Sequence, residues 1–322
     1  MSARSVRRGV ALVAIIALLA TACGRPGQGG GYPARDVQVV VPYPAGSAID
    51  ATARALVDVI NKQGELGKRL QVVNKEGGAG SVGTTAVLTA KPDGHTIGIL
   101  PDGPLTLIPH TEEVSYDPGK VTVLSEVTTS PVLFAVPGDS PYQDVADLVA
   151  AAKADPGTIT MGDGPLNYAI PAQKFEQLTD TRFKHIKFDG DQATTTALLG
   201  GNVDVGVMQL AGATAQLKSG KLRVLGIAST DPVDLAPDVP TFGAQDVDLD
   251  WAAYNVVVAP AGLPSDVEKK LADVFDAAVH SVEFTDAARE LGLVVSGLDG
   301  ASARNRLTDK SGEAEKLLAP PK

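Results

Sequence analysis

Residues 37–50 read Val37-Gln38-Val39-Val40-Val41-Pro42-Tyr43-Pro44-Ala45-Gly46-Ser47-Ala48-Ile49-Asp50. A valine-rich run stops at a loop with two prolines. Apolar residues then return at helical spacing, at Ile49, Ala53, Leu56, Val57 and Ile60. The hydrophobic period thus changes from that of a buried strand to that of an amphipathic helix across one loop. The order repeats. Residues 70–73 are apolar, 77–83 are a glycine loop, about 84–90 suit a helix, and 97–100 form another apolar run. Strand-loop-helix-strand series of this kind predict a parallel, doubly wound sheet. The pattern restarts with a strand at 133–136. Val145, Leu148, Val149 and Ala152 then mark one face of a helix that Asp155-Pro156-Gly157 ends. Residues 159–161 form a strand with its loop at 162–167, and 203–208, 224–228 and 256–259 add further strands. A late helix is expected over Val267, Leu271, Val274, Phe275 and Ala278, with Ser265 as its N-cap. The expected fold class is α/β.

Length and composition narrow the function. A chain of 322 residues suits two domains. Hydrophobic residues at 44% and charged residues at 20% disfavour both a disordered chain and a polytopic membrane protein. Asp plus Glu exceeds Lys plus Arg by 38 to 28, and aromatics are 4%, so no nucleic-acid partner is expected. The single cysteine excludes an intramolecular disulfide framework and a cysteine-rich metal site. His95, His110, His185 and His280 are scattered without paired ligand spacing, so no metal and no cofactor is expected.

The N-terminus reads as an address. Arg4, Arg7 and Arg8 precede the uncharged run 10–20, which has the length of a signal h-region and is too short to span a bilayer. Ala20, Thr21, Ala22 and Cys23 follow and resemble a bacterial lipobox, with Ala20 in place of the usual leucine. The expectation is a signal peptide over 1–22 and lipidation at Cys23. The Gly-rich segment within 23–34 is then a flexible tether reaching on the order of 20 Å. The body would be a soluble extracytoplasmic domain anchored to the cell membrane.

Loops at the carboxyl ends of parallel strands carry the binding chemistry in such sheets. Three stand out: 42–50, 77–83 and 161–167. Glycine and serine leave backbone N–H groups open, and a helix start adds the positive end of a dipole. Two such loops in consecutive units could hold an anion without lysine or arginine.

These residues resemble the substrate-binding proteins of the tripartite tricarboxylate transporter system, the TctC or Bug family. Val39-Val40-Val41-Pro42-Tyr43-Pro44-Ala45-Gly46 with Asp50 looks like the family's first strand, Pro-rich loop and aspartate, and Gly78-Ala79-Gly80-Ser81-Val82-Gly83 like its second loop. Lys91-Pro92-Asp93-Gly94-His95-Thr96, Tyr116-Asp117-Pro118, Ala154-Asp155-Pro156-Gly157, Leu199-Gly200-Gly201-Asn202-Val203-Asp204, Asp238-Val239-Pro240-Thr241 and Ala259-Pro260-Ala261-Gly262-Leu263-Pro264 follow in order. The likeness spans about residues 34–300.

The resemblance implies a type II periplasmic-binding-protein fold, two doubly wound α/β lobes with a ligand cleft between them. Lobe 1 would comprise 35–134 plus 253–322 and lobe 2 would comprise 135–252, with crossings near 134 and 252. It implies a proximal carboxylate grip from Tyr43, Ala45, Gly46, Ser47 and Asp50 with Gly78, Ala79, Gly80 and Ser81. The distal residues would be Asp163, Gly164, Asn167, Phe188, Asp189, Gly190, Asp204 and Gln209. Ser47 replaces the family's second loop glycine. The third loop has Asp163, Pro165 and Ala169 without the usual histidine, and Phe188-Asp189 replaces a tyrosine and lysine. If Asp163 or Asp189 pointed inward, the ligand would carry one carboxylate and a distal donor.

The implied function is capture of a small organic carboxylate by a monomer, without catalysis, for delivery to membrane transporter subunits. A ligand-sensing lipoprotein that feeds a membrane sensor needs the same pocket and is the alternative. An exported α/β enzyme is the third reading. Gly78-x-Gly80-x-x-Gly83 matches the dinucleotide fingerprint, but 74–77 intervene after the strand and a full unit precedes it. Thr84 stands where a phosphate-binding loop needs lysine, and the chain has no G-x-S-x-G elbow.

Overall fold

The valine run becomes β1 (Val37–Val41), in which only Gln38 is exposed. The computed structural model describes residues 31–318, and the expected export signal and Cys23 lie outside the described residues. β1 lies between β2 (Leu70–Asn74) and β3 (Thr96–Pro101) and runs parallel to both. α1 (Ala48–Gln63) and α2 (Ser81–Leu88) make the crossovers. α1 buries Ile49, Ala53, Leu56 and Ile60, the stripe that its spacing requires. Gly64 ends it in a left-handed conformation, its N–H donating to the Ile60 carbonyl. α3 (Gly103–Thr106) is a single turn after β3.

Two long strands join this half to the rest. β4 (Val121–Pro137) runs antiparallel to β9 (Ala252–Pro260) as far as Pro131. It also pairs with β10 (Val294–Asp299). From Val132 onward its partners are β7 (Val205–Gln209) and β8 (Leu222–Ile227). β5 (Thr160–Asp163) then pairs in parallel with β7 and with β6 (Lys184–Lys187). The order β2-β1-β3-β9-β4-β7-β5-β6 is therefore parallel at each end and antiparallel at its centre. The parallel pairing expected from the strand-helix alternation is present at both ends. β4 and β9 return the chain between the halves, and returning strands pair antiparallel.

The remaining helices cover the sheet: α4 (Val145–Ala154), α5 (Leu166–Thr179), α6 (Asp191–Leu199), α7 (Leu210–Lys218), α8 (Ser265–Val279), α9 (Val282–Glu290) and α10 (Gly300–Leu318). α8 starts at Ser265 itself, with Pro264 at the cap. One core gathers Val40, Leu100, Val256 and Val258. Another is built on Phe134, Phe175 and Phe242, whose ring centroids lie 4.9, 5.0 and 5.6 Å apart, a spacing that favours tilted aromatic contacts. α10 enters both, with Ala303 and Leu307 in the first and Ala314 in the second. No described helix is long and apolar enough to cross a membrane.

Candidate ligand cleft

A cleft of about 360 Å³ opens at the carboxyl ends of the parallel strands. Tyr43 and Ala79 line it from the first two loops, Asn167 from the start of α5, and Gln209 from the end of β7. Asp102 and Gly103 border it at the end of β3. Pro104, Leu107, Ile108 and Leu166 supply apolar wall.

The first loop is held from behind by Asp50. This carboxylate is buried. It accepts from the Gly46 N–H at 2.8 Å, from Arg54 Nε at 2.9 Å and from Asn74 Nδ2 at 2.8 Å. Burial alone would raise its pKa, but the Arg54, Gly46 and Asn74 hydrogen bonds win and hold it at about 2. Asn74 Nδ2 also donates to the Tyr43 carbonyl at 2.9 Å. Asp50 and Gly46 are thus spent on shaping the loop. Ala45 is exposed. Ser47 caps α1 without a side-chain cap bond, and its buried hydroxyl has no protein partner. The first-turn N–H groups of Ala48, Ile49 and Asp50 have no acceptor within the helix.

The second loop is tied to the first. Tyr43 donates its hydroxyl to the Ala79 carbonyl at 3.0 Å. Gly78, Ala79 and Gly80 all have positive φ, at 53°, 48° and 99°. Ala79 accepts a conformation that a Cβ disfavours by about 1 kcal/mol. A Cβ on Gly80 would lie 2.9 Å from Pro104 Cγ and 3.3 Å from the Tyr43 ring, so this glycine admits the close approach of two cleft walls. Ser81 opens α2, with its N–H on the Gly78 carbonyl.

Asn167 is held by two donors. Its Oδ1 accepts from Trp251 Nε1 at 3.0 Å and from Lys310 Nζ at 3.0 Å. Both partners can only donate, so the amide has one allowed orientation. Its Nδ2 is then buried with no acceptor in the protein. Lys310 also donates to the Ala252 carbonyl and pairs with Asp102 Oδ2, each at 2.5 Å. The faces of Trp251 and Tyr254 cover its ammonium at 4.6 and 4.9 Å. All three ammonium donors are therefore occupied. Burial lowers the Lys310 pKa, and the Asp102 charge opposes that shift. Sequence reasoning missed Lys310, Asp102 and Trp251. The signal for Lys310 was present: Ala303, Leu307, Lys310 and Ala314 form the buried stripe of α10, with one lysine in it.

The third loop differs from the expectation for its charge. Asp163 does not line the cleft. It is buried and bonded to His185 Nδ1 at 2.6 Å, and His185 Nε2 faces Glu176 at 3.2 Å. The hydrogen bonds to Asp163 and then Glu176 raise the His185 pKa to about 9. Gly164 is required by contact, since a Cβ there would lie 1.9 Å from the Phe188 carbonyl oxygen. Phe188 in turn donates its N–H to the Asp163 carbonyl. Asp189 is exposed, and Gly190 caps α6. Asp204 accepts from the Thr160 N–H and hydroxyl at 2.8 and 2.6 Å and ties β5 to β7 away from the cleft lining. Gln209 is positioned through its N–H, which donates to the half-buried Asp191 at 3.2 Å.

The sequence profile of the tripartite tricarboxylate transporter family receptors, TctC, matches residues 52–317. The chain belongs to this family. A UPF0065 protein of Bordetella bronchiseptica is 31% identical over 239 residues, 73% of this chain and 70% of the relative. A TctC solute-binding protein from Polaromonas superposes with a TM-score of 0.82 at 24% identity, covering 89% of this chain and 99% of the other. Two structures from Rhodopseudomonas palustris, each 23% identical, cover 89% of this chain. MatC with bound malate has a TM-score of 0.70 and is covered over 100% of its length. The second, with adipate, has a TM-score of 0.73 and is covered over 97%. At these identities the superpositions establish the fold: TctC receptors are two-lobed periplasmic binding proteins, and this chain shares that architecture.

Proposed function

We propose that this TctC receptor captures a small organic carboxylate in the cleft and delivers it to the membrane subunits of a tripartite tricarboxylate-type secondary transporter. Asn167 carries the reading. Its Nδ2 is buried, fixed in orientation and without an acceptor in the protein, on a residue lining the cleft that Tyr43 and Ala79 of the first two loops also line. An orphaned buried donor costs about 1–3 kcal/mol, which a ligand oxygen would recover. Malate in MatC and adipate in the other R. palustris protein support a carboxylate as the ligand class.

In this reading the lobes are 35–134 plus 253–322 and 135–252, and ligand shifts the population toward the closed form that the transporter accepts. The protein is a monomer without catalysis, secreted by the 1–22 signal and held at the membrane by lipidated Cys23. A thermal-shift screen with mono-, di- and tricarboxylates, aromatic acids and amino acids tests the carboxylate reading. A ligand at about a hundred times its Kd adds roughly 2.7 kcal/mol and raises Tm visibly. An unmoved Tm across every acid, with a well-folded baseline, contradicts it.

A further inference from the structure

Donors and apolar surface occupy different parts of the cleft, and that division selects among carboxylates. We propose that the ligand is a monocarboxylate with an apolar body, aliphatic or aromatic, in preference to a di- or tricarboxylate. This rests on the reading of the site as a carboxylate cleft.

The fixed donor is Asn167 Nδ2, which offers its hydrogens to one anionic end. The cation behind it is not available for a second. Lys310 spends its three donors on Asp102, Asn167 and the Ala252 carbonyl, and two aromatic faces cover it. Its charge instead balances Asp102, so that a carboxylate at Asn167 Nδ2 meets a compensated pair rather than a bare anion. The surface left for the body of the ligand is mainly apolar, with Pro104, Leu107, Ile108 and Leu166, and its uncharged polar groups include Gln209 and Thr111. A methylene chain or an aromatic ring gains from burial there. A second carboxylate placed on the apolar part is stripped of water, and neutral Gln209 and Thr111 offer it no opposite charge. Turned toward the margin, it meets the exposed carboxylate of Glu112, which also lines the cleft. Like charges brought together in a binding site select strongly against the wrong ligand.

Calorimetric titration of the full-length protein with matched pairs tests the proposal. Hexanoate and adipate share a chain length and differ by the distal carboxylate. Benzoate and terephthalate are the aromatic pair, and hexanamide is the neutral control. The expected result is that the monocarboxylate of at least one pair binds about tenfold or more tighter than its dicarboxylate partner. Equal or tighter binding of adipate and terephthalate overturns the proposal while leaving the carboxylate reading intact. Hexanamide binding as tightly as hexanoate, or no binding by any acid, overturns the carboxylate reading itself. In Glu112→Gln the monocarboxylate-to-dicarboxylate affinity ratio should narrow. A ratio identical to that of the unmodified protein would contradict the part assigned to the Glu112 charge.

Discussion

The first and third loops each carry one buried aspartate, held in the first by groups whose charge is constant at ordinary pH and in the third by a histidine. Asp50 is fixed by donors that stay charged or neutral at all ordinary pH: Arg54, Asn74 and the Gly46 N–H. Asp163 is fixed by His185, whose charge depends on pH. Neither aspartate lines the cleft. Each shapes the backbone of its own loop, and the chemistry of its partner decides which end of the pH scale loosens the loop.

The largest difference between the two loops lies at their glycines. Gly164 and Gly46 occupy matching places but are required for different reasons. A Cβ on Gly164 would collide with the Phe188 carbonyl at 1.9 Å, whereas one on Gly46 would meet nothing within 4 Å and suffer only from a φ of 85°. Gly164→Ala should cost about 3 kcal/mol or more, because backbone must move. Gly46→Ala should cost about 1–2 kcal/mol of conformational strain. Urea unfolding of the two variants checks the order, and equal losses would remove the distinction.

The aspartates come next. The Asp50 pKa is lowered from 3.8 to about 2, so its contribution is present above the unfolded value and is lost as pH falls toward 2. Asp50→Asn should therefore lose about 2 kcal/mol at neutral pH and converge with the unmodified protein in strong acid. The His185 pKa is raised from 6.5 to about 9, so its contribution is full below the unfolded value and is lost as pH rises through 9. His185→Gln should lose on the order of 2 kcal/mol at about pH 6 and almost nothing at about pH 10. Stability curves of the two variants against pH should slope in opposite senses. Parallel curves would contradict the account of the third loop.

Much of this was readable from residues. The valine run, the stripe of α1 and the glycine loops place β1, β2 and the first two cleft loops, because burial and backbone freedom leave a local mark. Other features depend on distant partners. β6 reads Lys184-His185-Ile186-Lys187 and sits at the sheet edge, so it lacks the apolar signal of a central strand. The first half of β4 contains no long apolar run, and Pro131 argues against a strand there. The proline is tolerated where β4 exchanges β9 for β7 and β8. Tyr43, Ala79, Asn167 and Gln209 were singled out and meet in the cleft. The roles of Asp50 and Asp163 were not legible, since Arg54, Asn74 and His185 reach them only through the fold. The lock on Asn167 is the extreme case, as Lys310 lies 143 positions along the chain.

Asn167→Asp separates a carboxylate held at this amide from any other mode of binding. Aspartate keeps an oxygen for Trp251 and Lys310 but replaces the free amide donor with an acceptor. Calorimetric titration with the acid that gives the largest thermal shift should show affinity falling by about tenfold to a hundredfold, with the unfolding midpoint preserved. Unchanged affinity in a folded Asn167→Asp protein would contradict a carboxylate held at this amide.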